Sequence, residues 1–368
     1  MRTLALGRAD RFWPPADELL EAAERIRARL GDWPPVRDAR RICLTAPDAI
    51  RSGDLIVVIG AQADRDHAVA WRAAGADVIE AGPAGTTLTM ATGARHALEL
   101  QGSLAEDWLP ALAAFLDCGF EPCDALVLAL AWRDGDEMRG EDAWPIDLSR
   151  FPRAAGLPPA PALPFPSCPS RLGLYPVLPS AQWVERVLEF GVKTVQLRVK
   201  DAPPDRLRAE IELAVAAGRR HDACVFINDH WREAAQAGAY GVHLGQEDLE
   251  TADLAAIAAS GMRLGLSTHG YYEMLRALHF RPSYLAFGAV FPTETKTVAT
   301  APQGLARLER YVRLLDAHVP LVAIGGIDLA RLPSVLATGA GSAALVSAVT
   351  AAPDPARAVA ALQRVFAS

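Results

Sequence analysis

Two aspartates each close a short apolar run: Asp229 after Phe226-Ile-Asn, and Asp248 after Gly241-Val-His-Leu-Gly-Gln-Glu. One aspartate in such a place reads most simply as a helix N-cap. Two of them, beside basic residues, suit a hard cation, because magnesium takes oxygen ligands from one or two carboxylates and from substrate phosphates. Upstream, Gln196, Arg198 and Lys200 alternate along one run, which puts them on one face of a strand. Charges on an inward face are costly without a partner, and an anionic ligand would supply one. Arginine offers it a two-pronged donor and lysine a point charge. Lys296 ends the run Gly288-Ala-Val-Phe-Pro-Thr-Glu-Thr and adds another cation, with Thr293 and Thr295 just before it. Gly325-Gly326-Ile327 and Val346-Ser347 follow the last two apolar runs. A Gly-Gly pair alone is a turn, but at this place in the order it suits a phosphate held by backbone N–H groups. His243 and His269 are both able to move protons. His243 lies within an apolar run and reads better as a hydrogen-bonded interior residue, whereas His269 follows Ser267-Thr268 at a run's end and faces a pocket.

These residues need elements to hold them. Apolar runs predict strands at 172–178, 194–199, 224–228, 241–244, 263–267, 284–290, 319–324 and 342–347. Helical patterns separate them, at 181–190, 204–219, 231–237, 251–260, 271–279, 304–317, 329–338 and 354–366. Eight strand–helix units in about 200 residues predict a (β/α)₈ TIM barrel. The runs are apolar throughout, as in parallel strands covered on both faces. In such a barrel the active site lies at the C-terminal ends of the strands, and every polar group named above falls at or near such an end.

In order and spacing these motifs resemble thiamine phosphate synthase, from about Leu172 to the C-terminus. The resemblance implies a magnesium-dependent transferase of thiamine biosynthesis. It would join 4-amino-2-methyl-5-(diphosphooxymethyl)pyrimidine to 4-methyl-5-(2-phosphooxyethyl)thiazole, giving thiamine phosphate and diphosphate. It implies a pyrimidine diphosphate site at Gln196, Arg198, Lys200, Asn228, Ser267 and Lys296. Arg198, Lys200 and Lys296 would act in catalysis, and Asp229 and Asp248 would hold the metal. The thiazole phosphate would meet Thr293, Thr295, Gly326, Val346 and Ser347. It further implies passage through a pyrimidine carbocation stabilised by the electron-rich ring. A regulator that binds a phosphate without turnover is disfavoured, because these ligands are all kept.

The resemblance leaves residues 1–155 unaccounted for. They predict a smaller α/β domain, with helices at 16–30, 64–74, 104–116 and 124–132 and strands at 55–59 and 77–80. Leu19, Leu20, Ala23, Ile26 and Leu30 form the apolar face of the first helix. Gly82-Pro-Ala-Gly-Thr-Thr-Leu-Thr89 predicts a turn; as a phosphate cradle it lacks the Lys and Ser/Thr ending of a P-loop. Helices 104–132 faintly resemble those that close hydroxymethylpyrimidine phosphate kinases, but Leu100-Gln-Gly-Ser-Leu104 does not supply the anion hole such kinases need. An accessory domain is expected, with an interaction module or a degenerate kinase remnant as alternatives. His96 reads as a packing or surface residue. Residues 156–170 are proline-rich and predict an extended linker, ahead of the barrel at 171–368.

The chain has 368 residues and a net charge of −7, which argues against a nucleic-acid surface. Small-molecule substrates are the expected partners, and a homo-oligomer stays open. The five cysteines have irregular spacing and predict reduced thiols in a cytoplasmic protein. No signal peptide and no apolar run long enough to span a membrane is recognisable.

Overall fold

The computed structural model describes residues 10–34, 36, 39–60, 65–83, 85–140, 142–293 and 301–367. The chain divides into two compact units, 1–158 and 159–368. Among the described residues no helix is long and apolar enough to cross a membrane.

The first unit holds one mixed sheet of seven strands in sequence order: β1 (Phe12–Trp13), β2 (Ile42–Cys43), β3 (Leu55–Ile59), β4 (Asp77–Ala81), β5 (Gly85–Thr89), β6 (Arg95–Glu99) and β7 (Arg153–Ala154). The first four pair in parallel and the last three run antiparallel. Its helices are α1 (Asp17–Arg27), α2 (Arg65–Ala73), α3 (Trp108–Asp117) and α4 (Pro122–Ala131). The stretch 82–89, expected as a turn, is mostly strand. Thr86 and Leu88 alternate inward, and a Cβ on Gly85 would stand 2.5 Å from the Leu98 carbonyl oxygen. The small residue there serves close strand pairing rather than a phosphate. Arg41 clamps buried Asp54 through two bonds, Nε–Oδ1 at 2.9 Å and Nη2–Oδ2 at 2.5 Å, which satisfies a charge pair within the core.

The second unit is a closed barrel of eight parallel strands. They are β8 (Gly173–Leu178), β9 (Thr194–Leu197), β10 (Cys224–Asn228), β11 (Gly241–Leu244), β12 (Arg263–Thr268), β13 (Tyr284–Phe287), β14 (Leu321–Ile324) and β15 (Ser342–Leu345). Pairing of β15 with β8 closes the ring. The intervening and following helices are α5 (Ala181–Glu189), α6 (Pro204–Arg220), α7 (Trp231–Ala237), α8 (Leu254–Ala259), α9 (Tyr271–His279), α10 (Gly304–Leu315), α11 (Leu332–Ala337), α12 (Ser347–Thr350) and α13 (Pro355–Ala367). The barrel expected from the periodicity is therefore present. The strand ends differ slightly: β9 stops at Leu197, short of Lys200, and β13 at Phe287.

The barrel interior is a packed core, as its closure requires. Tyr175, Phe226 and Tyr284 meet there, with ring centroids 5.1–5.9 Å apart. Leu172, Val177, Ala286, Val322 and Ala344 fill around them. Two glycines make room for the rings. A Cβ on Gly265 would lie 2.2 Å from the Tyr284 ring, and one on Gly241 would lie 2.6 Å from Phe226. Neither position needs unusual backbone angles; the neighbouring ring takes the space a side chain would fill.

The proline-rich stretch is more than a spacer on the barrel side. Its carbonyls accept from residues at the starts of the strands: Pro161 from Arg281 Nη2 (2.5 Å), Pro166 from Ser283 Oγ (2.7 Å) and Ser167 from Arg263 Nε (2.9 Å). Phe165 is buried and Cys168 packs on the interior cluster. Residues 159–170 thus cover the foot of the barrel, at the end opposite the polar strand ends.

Gly265→Ala is expected to destabilise the barrel by about 1–3 kcal/mol, the usual cost of forcing extra volume into a filled core. Calorimetry of the full chain checks this; an unchanged barrel transition would show that Tyr284 moves aside freely.

Candidate active site

A cavity of about 480 Å³ opens where the barrel strands end. Its lining includes Val177 and Ala344, which pack with the aromatic core. Tyr175 and Tyr284 are fully buried and burial raises both phenol pKa values, so each keeps its proton. From them a hydrogen-bonded chain reaches the cavity wall on two sides. Gln196 Nε2 donates to Tyr175 Oη (3.4 Å), which lies 2.8 Å from Tyr284 Oη. Tyr284 Oη is 2.8 Å from His243 Nδ1, and His243 Nε2 is 2.9 Å from Ser267 Oγ. His243 is 6% exposed, a residue of the interior as its sequence position suggests.

The walls come from strand ends. Gln196, on β9, is buried, and Arg198 follows it, half-buried, with its N–H on the Leu178 carbonyl. Lys200 does not share their face: the strand has ended, and Lys200 is exposed and outside the cavity lining. Asn228 ends β10, and Asp229 turns the chain with φ of +62°. That left-handed geometry costs most side chains about 1–2 kcal/mol, and aspartate is among the few that visit it. The Asp229 N–H stays tied to the His243 carbonyl (2.9 Å), which fixes the turn.

After β11 the chain folds over Gly245, whose N–H donates to Asp248 Oδ2 (2.7 Å). Asp248 is thereby oriented, with its second oxygen not used in that bond. Gln246 Nε2 donates to the Ser267 carbonyl (2.7 Å), joining this loop to β12. His269 is held by Glu273, whose Oε2 accepts from both its backbone N–H and its Nδ1 at 2.8 Å.

On the far side, Gly325 and Gly326 both have positive φ, +99° and +64°. A Cβ on either would lie 2.5 Å from Ala289 or from the Pro292 carbonyl. Only glycine fits both the angles and the space. Arg331 Nη1 donates to the Gly326 carbonyl (2.6 Å) and stacks on Phe291, fixing the turn from outside. Val346 and Ser347 lead from β15 into α12 and complete this wall.

Of the residues singled out in the sequence, the cavity gathers Gln196, Arg198, Asn228, Asp229, Asp248, Ser267, Thr293, Gly326, Val346 and Ser347, and with them His243, His269, Gly325 and Ile327. Thr295 and Lys296 lie outside the described residues. Gln246, Glu247, Glu273 and Ala289 line the cavity too, and the sequence motifs do not single them out. Glu273 carries a usable signal: it stands four residues after His269, the spacing that puts two side chains on one helix face. Gln246 carries none, since its role depends on a carbonyl of another strand.

A sequence model of the thiamine monophosphate synthase family matches residues 174–349. A thiamine-phosphate synthase of Salmonella schwarzengrund is 60% identical over 190 residues, 52% of this chain and 90% of that protein. The chain belongs to the thiamine-phosphate synthase family. A second member, from Escherichia coli O1:K1, is 58% identical over the same shares of both chains. A solved structure of thiamine phosphate pyrophosphorylase from Pyrococcus furiosus aligns at 31% identity over 53% of this chain and 96% of its own, with a TM-score of 0.48. The family is one of transferases, and its match lies in the barrel unit that holds the cavity.

Gly326→Ala is expected to lower activity about 100-fold, the order of loss that follows a small displacement of a binding wall. Steady-state kinetics on a folded variant checks this; wild-type rates would show that the wall is not used.

Proposed function

We propose that the cavity joins the two heterocycles of thiamine phosphate. The thiazole nitrogen forms a bond to the pyrimidine methylene carbon, and the bond from that carbon to the diphosphate oxygen breaks with its electrons. No proton has to move, because the nitrogen already carries a lone pair. The observation that carries the reading is the gathering of ten residues, from the ends of seven strands and the loops after them, onto one cavity.

In this reading Gln196, Asn228 and Ser267 hold the aminopyrimidine. Arg198 directs its guanidinium at the diphosphate, stabilising charge that grows as the group departs. Lys200 and Lys296 act from outside the described lining, as cations that meet the diphosphate once it is bound. Thr293, Thr295, Gly326, Val346 and Ser347 take the thiazole phosphate, at the position where barrels commonly hold phosphates after their last two strands.

Asp229 and Asp248 are the residues that would hold magnesium. The donor set fits: both line the cavity, both are oxygen ligands, and one Asp248 oxygen is left over from its bond to Gly245. Among the described residues no group of three or more metal-ligating side chains stands together, which suits an ion completed by substrate phosphates and water. Bound there, magnesium supplies positive charge against the diphosphate.

All the described lining residues belong to the second unit, and the proposal gives the first an accessory role. A cytoplasmic location belongs to the same reading, supported by five cysteines that form no disulfide.

Thiamine phosphate formation from the two purified substrates tests this. The full chain is expected to turn over with magnesium and to stop with chelator. Asp229→Ala and Asp248→Ala are each expected to lose at least about 100-fold in kcat/KM, as expected when charge stabilisation of a leaving group is removed. Residues 159–368 are expected to keep the activity; a full chain inactive at saturating substrates and metal would sink the reading.

A further inference from the structure

Strands β11 and β12 leave their ladder unfinished at the cavity. Gly241 stands opposite Arg263, and the Arg263 N–H donates to the Tyr240 carbonyl. The bonds of a parallel pair are slanted, so a carbonyl receives the N–H one residue beyond its partner. Counting on by twos, the Ser267 carbonyl faces β11, and the donor due to it is the main-chain N–H of Gln246. But β11 ends at Leu244, and the donor that arrives is the Gln246 side chain, with Nε2 at 2.7 Å. The main chain has turned away at Gly245, whose N–H goes to Asp248 Oδ2 at 2.7 Å. The turn is tight: a Cβ on Gly245 would stand 3.3 Å from that oxygen. The loop that carries Asp248 thus gives up a ladder bond in order to bend, and the Gln246 side chain restores it.

The orientation of this amide follows from its partner. A carbonyl only accepts, so Nε2 faces Ser267 and Oε1 faces away. Gln246 Oε1 is shielded from solvent and meets no donor among the described residues. A buried oxygen left unmet is costly. An apolar side chain of the same length would avoid that cost and lose only the bond to Ser267. What glutamine adds is a fixed place for the loop. A second tie from the loop to α9, between Glu250 and Arg276 at 3.7 Å, ends on a carboxylate that is 73% exposed and holds little.

We propose that Gln246 is a positioning residue for the reaction: through the Ser267 carbonyl it holds the Gly245–Asp248 turn against β12 and so sets where the Asp248 carboxylate stands. The proposal rests on the reading that Asp248 holds magnesium. Gln246 has its donor committed and its oxygen shielded, so it acts through Asp248 and not as a ligand of the ion. Ser267 is a pyrimidine residue in the same reading, so one side chain ties the metal's loop to a strand that serves the pyrimidine.

The test is metal binding, read by electron paramagnetic resonance with manganese(II) as the probe ion. It uses the full chain with the pyrimidine diphosphate present and the thiazole phosphate withheld, so that nothing reacts. Gln246→Met keeps the length and removes both amide atoms. It is expected to bind manganese about 10-fold more weakly, the order of loss when the support behind a metal ligand is removed. Its thermal midpoint is expected within about 4 °C of the wild type, because the lost bond and the removed unmet oxygen offset each other. Asp248→Ala is expected to weaken binding as well. The double variant is expected to bind no more weakly than Asp248→Ala alone, since a residue that acts through Asp248 then has nothing left to position, whereas general damage to the site would add. A folded Gln246→Met with manganese affinity within about twofold of the wild type, or a double variant whose losses add, overturns the inference. Should Gln246→Met not fold, Gln246→Leu is read by the same cycle. An Asp248→Ala variant that keeps the wild-type affinity shows instead that the ion does not sit at Asp248, and the reading beneath fails together with the inference.

Discussion

A closed ring of eight parallel strands must fill its own interior, and this chain fills it with aromatic rings. The contact that decides the arrangement is Tyr284 against Gly265: a ring from one strand occupies the volume that its neighbour has given up. Phe226 against Gly241 repeats the device two strands away. The rings fill the barrel interior, and the two tyrosine hydroxyls bond Gln196 and His243, which line the cavity. A core of aliphatic side chains would seal it as well, but it would end in a surface with nothing to offer His243 or Gln196. Packing and site chemistry therefore share the same residues.

Legibility follows the range of the interactions. Strand ends are readable because apolar runs and the polar residues that close them are adjacent in sequence. Asn228, Asp229, Ser267 and Gly326 all reach the cavity from such places. Placing Lys200 on one face with Arg198 assumes a longer strand; pairing of β9 with β8 and β10 ends at Leu197, and the alternation ends with it. The pairing of the two buried phenols is not readable. Tyr175 and Tyr284 are ordinary strand aromatics by sequence, and only barrel closure brings them within 2.8 Å across 109 residues. In the first unit the same limit shows at β5, where glycine and threonines suggest a turn and two partner strands draw the segment into the sheet. Strands of two residues, such as β1 and β2, hold by pairing with neighbours and leave no period to detect.

The electrostatics are local. The chain is acidic overall, and its two anionic substrates in the proposed reaction would be repelled at long range. In that proposal recognition would be a matter of short distances: a guanidinium at Arg198, backbone at Gly326 and a cation held by Asp229 and Asp248 would act within a few ångströms, where screening is weak. Two carboxylates of the cavity wall are engaged by groups of the protein itself. Glu273 is engaged twice by His269, and Asp248 spends one oxygen on Gly245.

The strip that covers the foot of the barrel has a chemical asymmetry. Proline has no N–H, so Pro161 and Pro166 present carbonyls alone, and the barrel meets them with side chains that donate from Arg281 and Ser283. An extended segment of ordinary residues in that position would hold out a ladder of donors and acceptors that another chain's strand is able to complete. A strip in which five of twelve residues lack that donor is a poor template. The same prolines that let the segment lie flat against the barrel thus leave fewer donors for a neighbouring strand to complete.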